Sequence, residues 1–119
     1  MAAKRVLIVE DERPLAHALE LKLTHEGFEP LLATNGQECL DIINSQTVDV
    51  VLLDMMMPVM DGFQVLQEIT KMKKKPTVFA LSNLTLHDDQ TRIMAMGAQK
   101  YFIKSDTPLT TIVEEIKKL

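Results

Sequence analysis

Unbroken apolar runs alternate along this chain with segments in which apolar residues recur every three or four positions. Residues 6–9, 50–53, 78–81 and 101–103 are continuous runs, and 29–33 is a weaker one. Runs of this length without polar alternation predict strands covered on both faces, as parallel strands are. Between them, Leu15, Ala18, Leu19 and Leu23 share one helical stripe after Pro14, with Gly27 offering its end. Leu40 and Ile43 mark a short second helix after Asn35-Gly36. Phe63, Leu66, Ile69 and Met72 mark a third, opening near Asp61-Gly62 and closing before Pro76. A fourth is expected from His87 to Met96, closed by Gly97. Leu109, Ile112, Val113, Ile116 and Leu119 have the spacing of a fifth, with Thr107 as its N-cap and Pro108 at its first position. Strand then helix, five times over, predicts an α/β doubly wound parallel sheet joined by right-handed crossovers.

Composition narrows the class. The 119 residues and 46% apolar content suit one domain with one sizeable core, and no linker or repeat interrupts them. The expectation is a single domain over 1–119, with no output domain attached. Thirteen Lys and Arg stand against 17 Asp and Glu, a net charge of −4, so the basic face needed for duplex binding is not expected. The lysines at 71, 73, 74 and 75 read as the solvated end of a helix. Neither a span of roughly 20 apolar residues nor a signal-peptide core follows the opening MAAKR, so a cytoplasmic protein without a membrane segment is expected. Cys39, the single cysteine, reads as a buried helix residue.

The chemistry lies where the runs end. The first is followed by Glu10-Asp11, the second by Asp54, the third by Ser82 and the fourth by Lys104. In a doubly wound sheet the carboxyl ends of the strands form the rim where ligands sit. Three carboxylates gathered there would repel by roughly 4 kcal/mol per close pair at an effective dielectric near 20, so a cation is required. Oxygen-only ligands beside a phosphate-handling site point to Mg²⁺. Asp54, directly after the most apolar run, is the candidate nucleophile; Lys104 and Ser82 would supply a charge and a hydrogen bond to phosphoryl oxygens. Met55–Met57 and Met60 lack a neighbouring Cys or His and do not suit a soft metal, and His17, His25 and His87 read as surface residues.

Glu10-Asp11 after VLIV, the run DMMMPVMDG from Asp54 to Gly62, Ser82 after VFAL, and Tyr101 three residues before Lys104 occur in the order of one family. The chain resembles a response-regulator receiver domain over essentially its whole length. The resemblance implies a flavodoxin-like sheet of order 2-1-3-4-5. It also implies that Asp54 accepts phosphoryl from a histidine kinase or phosphotransfer protein. Asp11, Asp54 and the main-chain carbonyl of Met56 would hold Mg²⁺, with Glu10 on a metal-bound water. Ser82 and Lys104 would contact the phosphoryl group, and Tyr101 would be the switch aromatic. A downstream protein would read the face made by the fourth helix, fifth strand and fifth helix. Such a protein is a phosphoacceptor that assists its own phosphotransfer and dephosphorylation, not a metabolic enzyme.

Three positions depart from the family pattern: Ser105 where proline usually follows the lysine, Asn83 where alanine or glycine follows the switch hydroxyl, and Gln99-Lys100 where dimerising receivers often carry acids. Asn83 would narrow access to Asp54, and no dimer through that face is expected. Rival readings fit less well. A haloacid dehalogenase-like phosphohydrolase needs an aspartate where Met56 stands, and Glu10-Asp11-Glu12 would repel the phosphate of a flavin or nucleotide. The remaining alternative is a receiver-like docking module that is never phosphorylated.

Overall fold

The structure is a computed structural model that describes residues 3–57, 60–83 and 87–119; the side chains of His87 and Asp88, like residues 1, 2, 58, 59 and 84–86, lie outside it. Pro58 and Val59 of the motif and the reading of His87 therefore fall outside the described residues. Ten elements alternate: β1 (Arg5–Val9), α1 (Arg13–His25), β2 (Glu29–Ala33), α2 (Gly36–Ser45), β3 (Val50–Asp54), α3 (Gly62–Thr70), β4 (Thr77–Ser82), α4 (His87–Ala95), β5 (Lys100–Ile103) and α5 (Leu109–Lys117). All pairings are parallel and the strand order is β2-β1-β3-β4-β5. Order reverses between β1 and β3, which lie side by side with Val9 opposite Leu53. The doubly wound sheet and its order are therefore as expected.

Burial explains the unbroken runs. Val6, Ile8, Val50, Leu52, Phe79 and Leu81 face one side, packed on Ala16, Leu19 and Leu23 of α1 and on Ile112, Val113 and Ile116 of α5. Leu7, Val9, Val51, Leu53, Val78 and Ala80 face the other, packed on α2, α3 and Ile93 of α4. Every residue of β3 is buried, so neither face tolerates a polar position before Asp54. At the edge, β5 is only half-buried, although Phe102 meets Phe79 edge-on at 5.7 Å between ring centroids. No helix among the described residues is long and apolar enough to cross a membrane.

Two expectations at helix ends are corrected. Thr107 does not cap α5: its hydroxyl donates to the Ile103 carbonyl at 2.8 Å, and Pro108, extended at ψ 148°, is the N-cap, without a side-chain cap bond. The proline's extended backbone starts the helix one residue later, which leaves Thr107 too far upstream to reach the free amides. Met72 lies beyond α3, because tight three-residue bonds from Lys71 N–H to Glu68 and from Met72 N–H to Ile69 close the helix at Thr70. Its side chain packs on the core nonetheless. The start of α3 is a full capping box between Asp61 and Gln64, and Gly27, at φ 90°, takes the left-handed position after α1.

Cys39 is fully buried in α2, and burial pushes its thiol up to about 12. Under native conditions it should therefore resist a thiol reagent and become fully reactive in denaturant. Stoichiometric labelling of the native protein within minutes would contradict this packing.

Candidate functional site

The rim above β1, β3, β4 and β5 gathers the polar groups that follow the apolar runs. Glu10 continues β1 as an extra rung, its N–H donating to the Ala33 carbonyl at 3.1 Å, and it is 1% exposed. Its carboxylate turns back to accept from the Asp11 N–H at 3.1 Å. Asp54, the last residue of β3, is also 1% exposed. Its Oδ1 accepts from the Met56 N–H at 3.0 Å and its Oδ2 from Lys104 Nζ at 3.3 Å. One carboxylate oxygen from each of Glu10, Asp11 and Asp54 lies within 4.8 Å of the others.

Lys104 is the one cation this cluster has among the described residues. Its N–H extends the sheet by donating to the Ser82 carbonyl at 2.9 Å, and its side chain is 10% exposed. The ammonium lies 2.6 Å from Glu10 Oε1, 3.3 Å from Asp54 Oδ2 and 3.8 Å from Glu12 Oε1. Glu10 Oε1 is fully buried, with the ammonium beside it. Desolvation disfavours the ammonium, but its contact with Glu10 and the Asp54 charge outweigh that and hold Lys104 above its ordinary range. Burial, then the contact with Asp54, pushes Glu10 up to about 8 against the pull of Lys104. Around neutral pH Glu10 therefore retains a proton.

Ser82, the last residue of β4, is fully buried, and its hydroxyl is hydrogen-bonded with that of Tyr101 on β5. Burial raises the Tyr101 phenol above its ordinary value, with the Ser82 contact pulling the other way. The three methionines after Asp54 divide: Met55 and Met57 are core residues, whereas Met56 is 58% exposed beside the cluster.

A family model, that of the response regulator receiver domain, matches residues 6–117. The chain belongs to this family. Among solved structures, the response regulator TrrA from Thermotoga maritima, in complex with Mg²⁺-BeF, is 34% identical. The alignment covers 97% of each chain at a TM-score of 0.84. A Francisella response regulator 1452 receiver domain is 25% identical over 97% of this chain and 94% of that one, at a TM-score of 0.91. The chemotaxis protein CheY4 of Vibrio cholerae, 24% identical over 98% of both chains with a TM-score of 0.88, shares the fold.

The strand ends bring Glu10, Asp11 and Asp54 together within 4.8 Å, with Lys104 against Glu10 and Asp54 and Met56 flanking Asp54; Ser82 forms a second pair with Tyr101, which lies within β5 opposite Ala80. All the donors in the cluster are carboxylate oxygens, two of them on residues buried at the rim, which suits a hard divalent cation. Two contributors were not anticipated. Glu12 adds a third carboxylate near Lys104, a contact invisible where the residue reads only as part of an acidic run. Gly62 lets α3 start against the end of β3: a Cβ there would stand 2.5 Å from Met55 Cα and 2.8 Å from the Asp54 carbonyl oxygen. The Asp61-Gly62 pair signalled a helix start but not this close approach.

Glu10 sets a pH dependence whose sign is fixed. In the unfolded chain its pKa is near 4.5 and in the fold it is about 8, so between these values the native state binds the extra proton. In chelator, stability should be greatest below pH 4.5 with respect to this group. It should fall as pH rises toward 8, by at most about 1.4 kcal/mol per unit. Glu10→Gln should flatten that slope, and Asp54→Ala should both reduce it and raise the melting temperature at pH 8. Equal slopes for wild type and Glu10→Gln, or a lower melting temperature for Asp54→Ala in chelator, would contradict the charge assignment.

Proposed function

We propose that Asp54 is a phosphoacceptor and that the protein signals by the change its phosphorylation makes in a partner-binding surface. The observation that carries this reading is the environment of Asp54: a carboxylate fixed at a strand end, held by an amide on one oxygen and an ammonium on the other, with an oxygen of each of two further acids within 4.8 Å. The similarity to TrrA, whose structure contains Mg²⁺-BeF, supports it. Asp11, Asp54 and the main-chain carbonyl of Met56 would hold Mg²⁺, with Glu10 fixing a bound water; the cation supplies the positive charge that lets an anionic phosphoryl group approach these acids.

In the transfer, an Asp54 carboxylate oxygen forms a bond to phosphorus while the P–N bond of a donor phosphohistidine breaks, and the electron pair leaves with the imidazole. Lys104, already 3.3 Å from Asp54 Oδ2, shifts to the phosphoryl oxygens as the charge on the carboxylate moves outward. The Ser82 hydroxyl turns from Tyr101 toward the phosphoryl group, and Tyr101 follows inward. The donor would be a histidine kinase or phosphotransfer protein. The readout would be a downstream protein on the face of α4, β5 and α5, where Met94 is 43% exposed and Tyr101 half-buried. The switch is a shift between two populations, biased by the charge gained at Asp54.

Intact mass after incubation with acetyl phosphate and Mg²⁺ tests this. The wild type should gain one phosphoryl group, the gain should disappear with chelator, and Asp54→Asn should show none. An unchanged wild-type mass with both acetyl phosphate and a phosphohistidine donor, or equal labelling of Asp54→Asn, would refute the reading.

A further inference from the structure

The ladder between β4 and β5 continues past its last strand residues through a side chain. Ser82 pairs with Ile103, and the Lys104 N–H then donates to the Ser82 carbonyl at 2.9 Å. One residue further, the Ser105 N–H donates to Asn83 Oδ1 at 3.0 Å. Asn83 follows Ser82 and Ser105 follows Lys104. The bond thus joins the residues that immediately follow Ser82 and Lys104, just past the ends of β4 and β5. Two residues that stand out separately in the sequence are, in the fold, the two halves of one contact. An asparagine offers an acceptor that alanine or glycine lacks, and a serine offers a backbone N–H that proline lacks.

We propose that Asn83 is a positioning residue. Its hydrogen bond to the Ser105 amide latches the ends of β4 and β5 together and restrains the displacement of Ser82 that accompanies phosphorylation. The inference rests on the phosphoacceptor reading of Asp54. With the latch closed, the chain at Ser82 is held twice from the β5 side, by Lys104 N–H on its own carbonyl and by Ser105 N–H on the next side chain. Its hydroxyl is meanwhile engaged with Tyr101. For Ser82 to move toward Asp54, the Asn83–Ser105 bond must lengthen or break. Asn83 and Ser105 are both exposed, so water can replace the bond and the restraint is modest: a few-fold to about tenfold in the population of the displaced state. This role differs from crowding of the Asp54 entrance, which would depend on the volume of residue 83 and not on its acceptor.

The test has two readouts. Hydrogen exchange of the Ser105 amide, in the unmodified protein with chelator, reads the latch without any phosphoryl chemistry. Asn83→Ala and Asn83→Leu should both speed that exchange several-fold, whereas Asn83→Asp, which keeps an acceptor, should restore protection. The rate of labelling by acetyl phosphate with Mg²⁺ reads the consequence. Asn83→Ala and Asn83→Leu should both label roughly threefold to tenfold faster than wild type, and Asn83→Asp should not. Ser105→Pro, which removes the donor, should add nothing when combined with Asn83→Ala. Unchanged Ser105 exchange in Asn83→Ala would overturn the latch, as would a Leu variant that labels like wild type while Ala is faster, or additive effects in the double variant. Labelling of none of these proteins, with exchange altered as expected, would refute the phosphoacceptor reading and with it the restraint on Ser82.

Discussion

A single ammonium group holds together a rim that carries more negative charge than it can balance. Lys104 lies within 4 Å of Glu10, Glu12 and Asp54, and Asp11 stands against the same cluster. Two of these acids are almost wholly buried, where unpaired charge is costly. The fold meets part of that cost by retaining a proton on Glu10 and by aiming backbone amides at the carboxylates. The remainder is stored repulsion. A site arranged in this way gains stability from any ligand that brings positive charge, and it discriminates against an anion that arrives without one.

The sheet exists, in energetic terms, to hold that rim rigid. Because β3 is buried on both faces and central between β1 and β4, Asp54 cannot retreat from Glu10 without disturbing two core layers. The edge strand β5 is different. Its residues are half-buried or exposed, and Tyr101 on it is bonded to Ser82 at the end of β4. In the proposed switch, a change of charge at Asp54 would reach β5 through Lys104, which touches Asp54, and through the Ser82–Tyr101 pair. The side-chain rung between Asn83 and Ser105 extends the contact between β4 and β5 on this side of the rim.

Much of this was legible in the residues themselves. Strands buried on both faces leave continuous apolar runs, and a run that must stop at a functional rim stops on the functional residue. The carboxylates, Ser82 and Lys104 could thus be picked out before any coordinates, whereas strand order came only through the family resemblance. What could not be read depends on geometry between distant segments. Thr107 has the chemistry of an N-cap, but Pro108 displaces the helix start. Met72 has the spacing of a helix position, but Thr70 ends the helix. Asn83 was legible as bulk near Asp54, not as the partner of an amide 22 residues away. The protonation of Glu10 was likewise hidden, because it follows from burial and from the distance to Asp54, neither of which an acidic pair in sequence reveals.

The most direct test of stored repulsion at the rim is the melting temperature of the wild type against Mg²⁺ concentration, at constant ionic strength and neutral pH. The melting temperature should climb with the logarithm of Mg²⁺ once the site begins to fill, as a cation bound only by the native state requires. The climb should vanish in Asp11→Asn. A melting temperature indifferent to Mg²⁺, or an equal rise in wild type and variant, would mean that the acids at the strand ends are already balanced without a cation, and the account of the site would fail.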